Sequence, residues 1–212
     1  MNITFIGVGN VGGAIADNLQ KLGYKVTIAA RDPQSKSVQA AVSRNSALIV
    51  QSPKDAVSSA DVVFLATPFS AIESALAEVK GALDNKIVVD CTNPVGANLS
   101  HGLESKISGG EKVQQIIPNA HVVKAFTIYG YENFEDSNYP GYGDLKPAML
   151  VAGNNQSAKE TVAELCRQIG WEPVDIGDIS LSLHLEHMTL LWIKMARVQG
   201  RGAGFVWAML NR

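Results

Sequence analysis

Short apolar runs rich in β-branched residues alternate along this chain with stretches whose apolar positions recur at helical spacing. The runs read as strands at Ile3–Ile6, Lys25–Ala30, Ala47–Val50, Asp61–Ala66, Lys86–Asp90 and Val122–Phe126. Helical periodicity fills the intervals, with a helix from about Asn10, then Ser35–Arg44, Pro53–Ser59, a region near Ser70–Leu83 and part of Asn98–Ile117. Such alternation predicts a parallel sheet covered on both faces, and these strands complete a doubly wound α/β core. A segment rich in Tyr, Gly, Asn and Asp follows from Tyr129 to Asp144 and reads as a lid or edge loop whose aromatics could cover a site. The pattern resumes with strand Ala148–Ala152, helix Ser157–Ile169 stopped at Gly170, and strand Pro173–Asp175, an extra αβ unit at the sheet edge. Leu183–Val198 and Gly204–Leu210 read as helices flanking a glycine-rich break at Gly200–Gly204. The expected division is a mainly parallel α/β domain over residues 1–178 and a small C-terminal helical extension over 179–212, in one compact unit.

The first strand ends in Gly7-Val8-Gly9-Asn10-Val11-Gly12 and opens directly into a helix. That context turns a weak glycine spacing into a dinucleotide-binding fingerprint of the NAD(P)-binding Rossmann type. Gly7 permits the tight turn, Gly9 lets a pyrophosphate approach the backbone, and Gly12, next to Gly13, lets helix and sheet pack closely. The helix start at Asn10-Val11 offers free N–H groups to phosphate oxygens. An NAD site places an acidic residue at the tip of the second strand, whereas this tip reads Ala30-Arg31. A small residue followed by a planar cation suits a 2′-phosphate, with Ser35 and Lys36 within reach of it, so NADP(H) is the expected cofactor. The alternative is that Arg31 is a solvated charge and Asp32, one place on, serves the ribose.

Ligands of open α/β sheets lie beyond the carboxyl ends of the strands. The residues there, Thr67, Pro68, Phe69 and Ile72 after the fourth strand, Asn93 and Pro94 after the fifth and Thr127 after the sixth, are expected to line the nicotinamide side. Lys124 is either a contact in that row or a salt-bridged structural group. His184, Glu186 and His187 lack a third ligand at recognisable spacing, so no metal is expected. Trp192 and Trp207 read as core or interface packing. The density of glycine at Gly200, Gly202 and Gly204 suggests close approach to a ligand or to a second backbone. There is no Ser-His-Asp set, no lysine or histidine in a catalytic motif and no paired carboxylate. No catalytic side chain is expected.

Composition narrows the classes. The chain has 212 residues, is 46% hydrophobic and 18% charged, and carries a formal net charge of −2 without a polybasic stretch. That excludes disorder and makes nucleic acid an unexpected partner. Cys91 and Cys166 sit in neither a redox nor a metal spacing, which fits a reduced, cytoplasmic protein. The opening Met1–Gly7 runs straight into a strand, so export is not expected, and the longest apolar candidate, Leu181–Ala196, is interrupted by His184, Glu186, His187 and Lys194, so neither is a membrane span.

The fingerprint, the Ala30-Arg31 tip, Ala66-Thr67-Pro68-Phe69, Thr92-Asn93-Pro94, Val123-Lys124-Ala125-Phe126-Thr127 and the terminal Gly200-Arg201-Gly202 run together resemble the NADPH-dependent reductases of the deazaflavin coenzyme F-420. They also resemble the cytosolic oxidoreductase domain of the six-transmembrane metalloreductases, which pass hydride from NADPH to a flavin. The resemblance implies a homodimer in which NADPH lies along Gly7–Gly12, its 2′-phosphate meets Ala30-Arg31 and Ser35, and a small-molecule hydride acceptor, coenzyme F-420 or a flavin, lies against the nicotinamide. Thr127 departs from the asparagine of many relatives. Two other readings stand beside this one, an NADP-dependent imine or hydroxyacid dehydrogenase and a non-catalytic NADPH-sensing protein.

Overall fold

In the computed structural model, which describes residues 1–212, strand and helix alternate as the residue pattern dictates. The strands are β1 (Asn2–Ile6), β2 (Lys25–Ala29), β3 (Ile49–Gln51), β4 (Val62–Leu65), β5 (Ile87–Asp90), β6 (His121–Lys124), β7 (Ala148–Gly153) and β8 (Glu172–Gly177). They form one eight-stranded sheet in the order β3-β2-β1-β4-β5-β6-β7-β8. All neighbours pair in parallel except β6 and β7, so the edge unit β7 and β8 runs opposite to the rest. Successive side chains of a strand alternate faces. Phe5, Phe64, Val89 and Val123 therefore join a 34-residue apolar cluster on one face, while Ile6, Val63, Leu65, Val88 and Val122 join a 15-residue cluster on the other. Burial on both faces is why these strands are nearly continuous in apolar residues.

The helices are α1 (Asn10–Lys21), α2 (Lys36–Arg44), α3 (Pro53–Ser58), α4 (Ile72–Ala77), α5 (Gly109–Ile116), α6 (Tyr131–Glu135), α7 (Gln156–Gln168) and α8 (Ser182–Ile193), the last continued by a π turn over Lys194–Val198. Ser108 starts α5 with a capping box, its hydroxyl accepting from Glu111 N–H while the Glu111 carboxylate accepts from Ser108 N–H. Residues 179–212 pack on the sheet unit, with Leu185, Trp192 and Ala196 in the larger cluster. No helix is long and apolar enough to cross a membrane.

Two expectations change. The loop Tyr129–Asp144 contains α6, and its leading aromatics are core: Tyr129 and Phe134 are 5% and 2% exposed, and Tyr129 stacks on Trp171 at 5.2 Å. Gly204–Leu210 is not helical. This tail instead crosses the start of β7, where Ala148 N–H donates to the Trp207 carbonyl at 2.8 Å and the Trp192 indole donates to the Phe205 carbonyl at 3.1 Å. Gly200 and Gly202 approach no other backbone within the chain, since a Cβ on either would meet nothing within 4 Å, and their φ values of +70° and +83° show that the reversal itself favours glycine.

Candidate functional site

The glycine turn is built by sterics. Gly7 has φ +96° and a Cβ on it would lie 2.7 Å from the Ala66 carbonyl oxygen after β4, while a Cβ on Gly12 would lie 2.3 Å from the Gly7 carbonyl oxygen, so α1 can start this close to β1 only without a side chain at Gly12. A Cβ on Gly9 would instead meet nothing within 4 Å, so the turn is open where a pyrophosphate would approach. Gly9 and Asn10 are exposed, and the first turn of α1 carries no side-chain cap and no acid. Its N–H groups and the positive end of the helix face that opening. Val8 is buried and Val11 half-buried behind it.

Beside the turn lies a cleft of about 330 Å³. Gly7, Val8 and Thr67 form its floor, Ala30, Arg31 and Ser35 one wall, and Ala71, Ser74 and Ala75 of the α4 region the other. Lys36 is exposed at the start of α2 and is not among the residues that line the cleft. Ile72 is 2% exposed within the smaller apolar cluster, so its side chain packs the core and does not reach the cleft. Arg31 is engaged across the cleft: its Nε donates to Glu78 Oε2 at 2.8 Å, and its Nη2 donates to the Ser74 carbonyl. Asp32 lines the same wall, and its Oδ1 accepts from Gln34 N–H at 2.8 Å, which shapes the turn into α2.

At the next strand ends the structure gathers the remaining expected residues. The Thr67 and Thr127 hydroxyls are buried without a hydrogen-bond partner. An orphaned polar group inside a protein needs a reason, and a ligand that completes its bonding is one. Thr127 is flanked by Phe126 at φ +54° and Ile128 at φ +62°, a backbone held in the left-handed region on both sides. Outside side chains hold it there, with Phe126 N–H on Met149 Sδ at 3.2 Å and Ile128 N–H on Thr189 Oγ1 at 3.0 Å. Thr189 Oγ1 also lies 3.0 Å from Asn93 Oδ1, so one hydroxyl registers both loops. Phe69 and Pro94 converge at α5: a Cβ on Gly109 would lie 2.8 Å from the Phe69 ring and 3.1 Å from Pro94 Cδ. Pro68 stays exposed at the rim.

Behind these loops is a charge cluster that no sequence motif announces. Lys124 is fully buried, with Nζ 2.9 Å from Asp90 Oδ2, 2.9 Å from Glu186 Oε1 and 2.6 Å from the Thr92 carbonyl. Glu186 also accepts from His101 Nε2 at 2.8 Å and from Gly109 N–H at 2.9 Å. His101 Nδ1 accepts from the Leu103 and Ser105 N–H groups, which assigns the ring proton to Nε2. Burial alone would push the Glu186 carboxyl up, but the Lys124 ammonium and the Gly109 and His101 hydrogen bonds hold it below its ordinary range. Burial alone would lower Lys124, and the two carboxylates more than reverse that. Lys124 is thus a structural cation, and Asp90 and Glu186 are the paired carboxylates that sequence reasoning missed. The available signals were an aspartate and a lysine at the ends of otherwise apolar strands. Glu186 points inward to this cluster while His187 bonds Ser105 at the surface and His184 is exposed, so the three do not share a metal site.

Comparison with known proteins agrees with this geometry. Residues 2–94 match the family model of coenzyme F420-dependent NADP oxidoreductases. The F420-dependent NADP reductase of Methanocaldococcus jannaschii is 30% identical over 158 residues, which cover 71% of this chain and 69% of that protein. Metalloreductase STEAP3 of Rattus norvegicus is 28% identical over 188 residues, 89% of this chain but 36% of that relative, so the chain spans little over a third of the metalloreductase's length. The crystal structure of a candidate F420-dependent NADP reductase from Arthrobacter sp. FB24 superposes with a TM-score of 0.89 at 28% identity, and each chain is covered completely. The glycine turn, the sheet order and these likenesses together establish that the chain belongs to the coenzyme F420-dependent NADP oxidoreductase family.

Proposed function

We propose that this protein transfers hydride between NADP(H) and a deazaflavin or flavin acceptor. The observation that carries the reading is the open glycine turn together with two orphaned hydroxyls, Thr67 and Thr127, at the strand ends where a nicotinamide would lie. The free amides from Gly7 to Gly12 hold the pyrophosphate, Ala30, Arg31 and Ser35 meet the 2′-phosphate, and Thr67, Asn93, Pro94 and Thr127 orient the nicotinamide. Bound NADP(H) supplies the hydride. The chain's own residues bind, orient and keep water out, a contribution on the order of 7–11 kcal/mol when two reactants are held face to face. The hydride passes directly between the stacked rings and the acceptor takes its proton from solvent, while Lys124 and Glu186 are sealed into their own ion pairs and do not serve as acid or base.

The second partner is proposed to be a second copy of this chain, docked on α8. Leu191 on α8 and Val198 at the end of the π turn after it stand 49% and 69% exposed, beside the exposed His184 and His187.

Stopped-flow oxidation of NADPH by the purified protein, offered coenzyme F-420, FAD, FMN, ferric chelate and a cyclic imine in separate runs, tests the reaction. Fast oxidation by the deazaflavin or a flavin is expected. Turnover only with the imine would replace the acceptor, and tight NADPH binding without turnover by any acceptor would leave an NADPH sensor in place of an enzyme.

A further inference from the structure

The Arg31 guanidinium is not free at the mouth of the cleft. It leaves the tip of β2, spans the opening and ends on the far wall, on Glu78 Oε2 and the Ser74 carbonyl. Glu78 is the residue that caps the C-terminus of α4. A carboxylate there gains nothing from the helix dipole, so its counterion comes from across the cleft. The pair therefore ties together the two walls between which an adenosine must enter.

We propose that Arg31 and Glu78 form a clasp over the adenosine cleft, and that an arriving 2′-phosphate takes the guanidinium over from Glu78. The proposal rests on the reading that Arg31 meets the 2′-phosphate. Both side chains are about half exposed, at 54% and 43%, so the clasp lies in a high dielectric and closes the cleft by about fivefold at most. A phosphate accepting two parallel hydrogen bonds from guanidinium outcompetes one carboxylate oxygen. A nucleotide with a 2′-hydroxyl must open the same clasp and returns nothing to Arg31. Glu78 thus contributes to nucleotide choice from outside the phosphate site, by setting a cost that only NADP(H) recovers.

Dissociation constants for NADPH and NADH, measured on the wild type, Glu78→Gln, Arg31→Ala and the double variant, test the clasp. Glu78→Gln is expected to tighten NADH by about two- to fivefold, and the gain should vanish in the Arg31→Ala background, where no clasp remains. An unchanged or weaker NADH affinity in Glu78→Gln overturns the clasp and leaves the 2′-phosphate reading standing. An equal gain with and without Arg31 also overturns it, since the effect would then be general electrostatics. If Arg31→Ala weakens NADPH no more than NADH, the phosphate takeover is lost, whatever Glu78→Gln does.

Discussion

Thr127 is 2% exposed, its hydroxyl has no partner, and its two neighbours are held at positive φ. A valine there keeps the shape and removes the orphan. Thr127→Val is therefore expected to leave the melting temperature of the nucleotide-free protein unchanged or higher, while NADPH binding weakens by about 1 kcal/mol, both readable by calorimetry. Arg31→Ala should weaken NADPH by about 1.5–3 kcal/mol without weakening NADH, because it removes a charge-assisted contact that only the 2′-phosphate makes. Equal weakening of both nucleotides would remove Arg31 from the phosphate site. These two residues were legible from the sequence because each sits at a fixed offset from a strand end. Glu78 and Thr189 were not: each acts on a residue far away along the chain, at separations of 47 and 96 positions.

The turn between β1 and α1 separates two roles that the sequence writes with the same letter. Gly12→Ala would place a Cβ against the Gly7 carbonyl oxygen, backbone that cannot yield, and is expected to destabilise the fold by about 1–3 kcal/mol. Gly9→Ala meets no atom, so it should cost at most about 1 kcal/mol of helix capping while obstructing the pyrophosphate. Thermal melts set beside NADPH titration would therefore show Gly12→Ala failing in both and Gly9→Ala failing chiefly in binding. The buried strands were legible because their side-chain period of two matches the two apolar clusters. The helix expected over Gly204–Leu210 failed because Phe205 and Trp207 gain more by docking across β7 and on Trp192 than by continuing a helix beyond Gly200 and Gly202.

Across the whole molecule, the cluster of Asp90, Lys124, Glu186 and His101 joins β5, β6, the loop before α5, and α8. Lys124→Met would leave two carboxylates buried without their cation, and a loss of about 3–5 kcal/mol in denaturant unfolding is expected. The cluster also has a pH signature. Glu186 titrates below its ordinary value of 4.5 in the folded protein, so its contribution is complete above that pH and is lost as pH falls through the folded value. Lys124 titrates above its ordinary 10.5, so its contribution is complete below that pH and is lost as pH rises further. Melting temperature is thus expected to stay level between these limits with respect to this cluster and to fall outside them. Glu186→Gln should melt lower at neutral pH and show a shallower decline in acid; an acid limb as steep as the wild type's would exclude Glu186 from it. By itself the sequence determined the alternation of strand and helix, the glycine turn and the cationic tip of the second strand, because each is a local matter of periodicity or backbone sterics. Only the tertiary structure decided the reversed edge pair β7 and β8, the inward turn of Glu186 and the clasp of Arg31 on Glu78. Each depends on which distant segments meet, and the partners of a charge or of a strand edge are chosen by packing that no local pattern encodes.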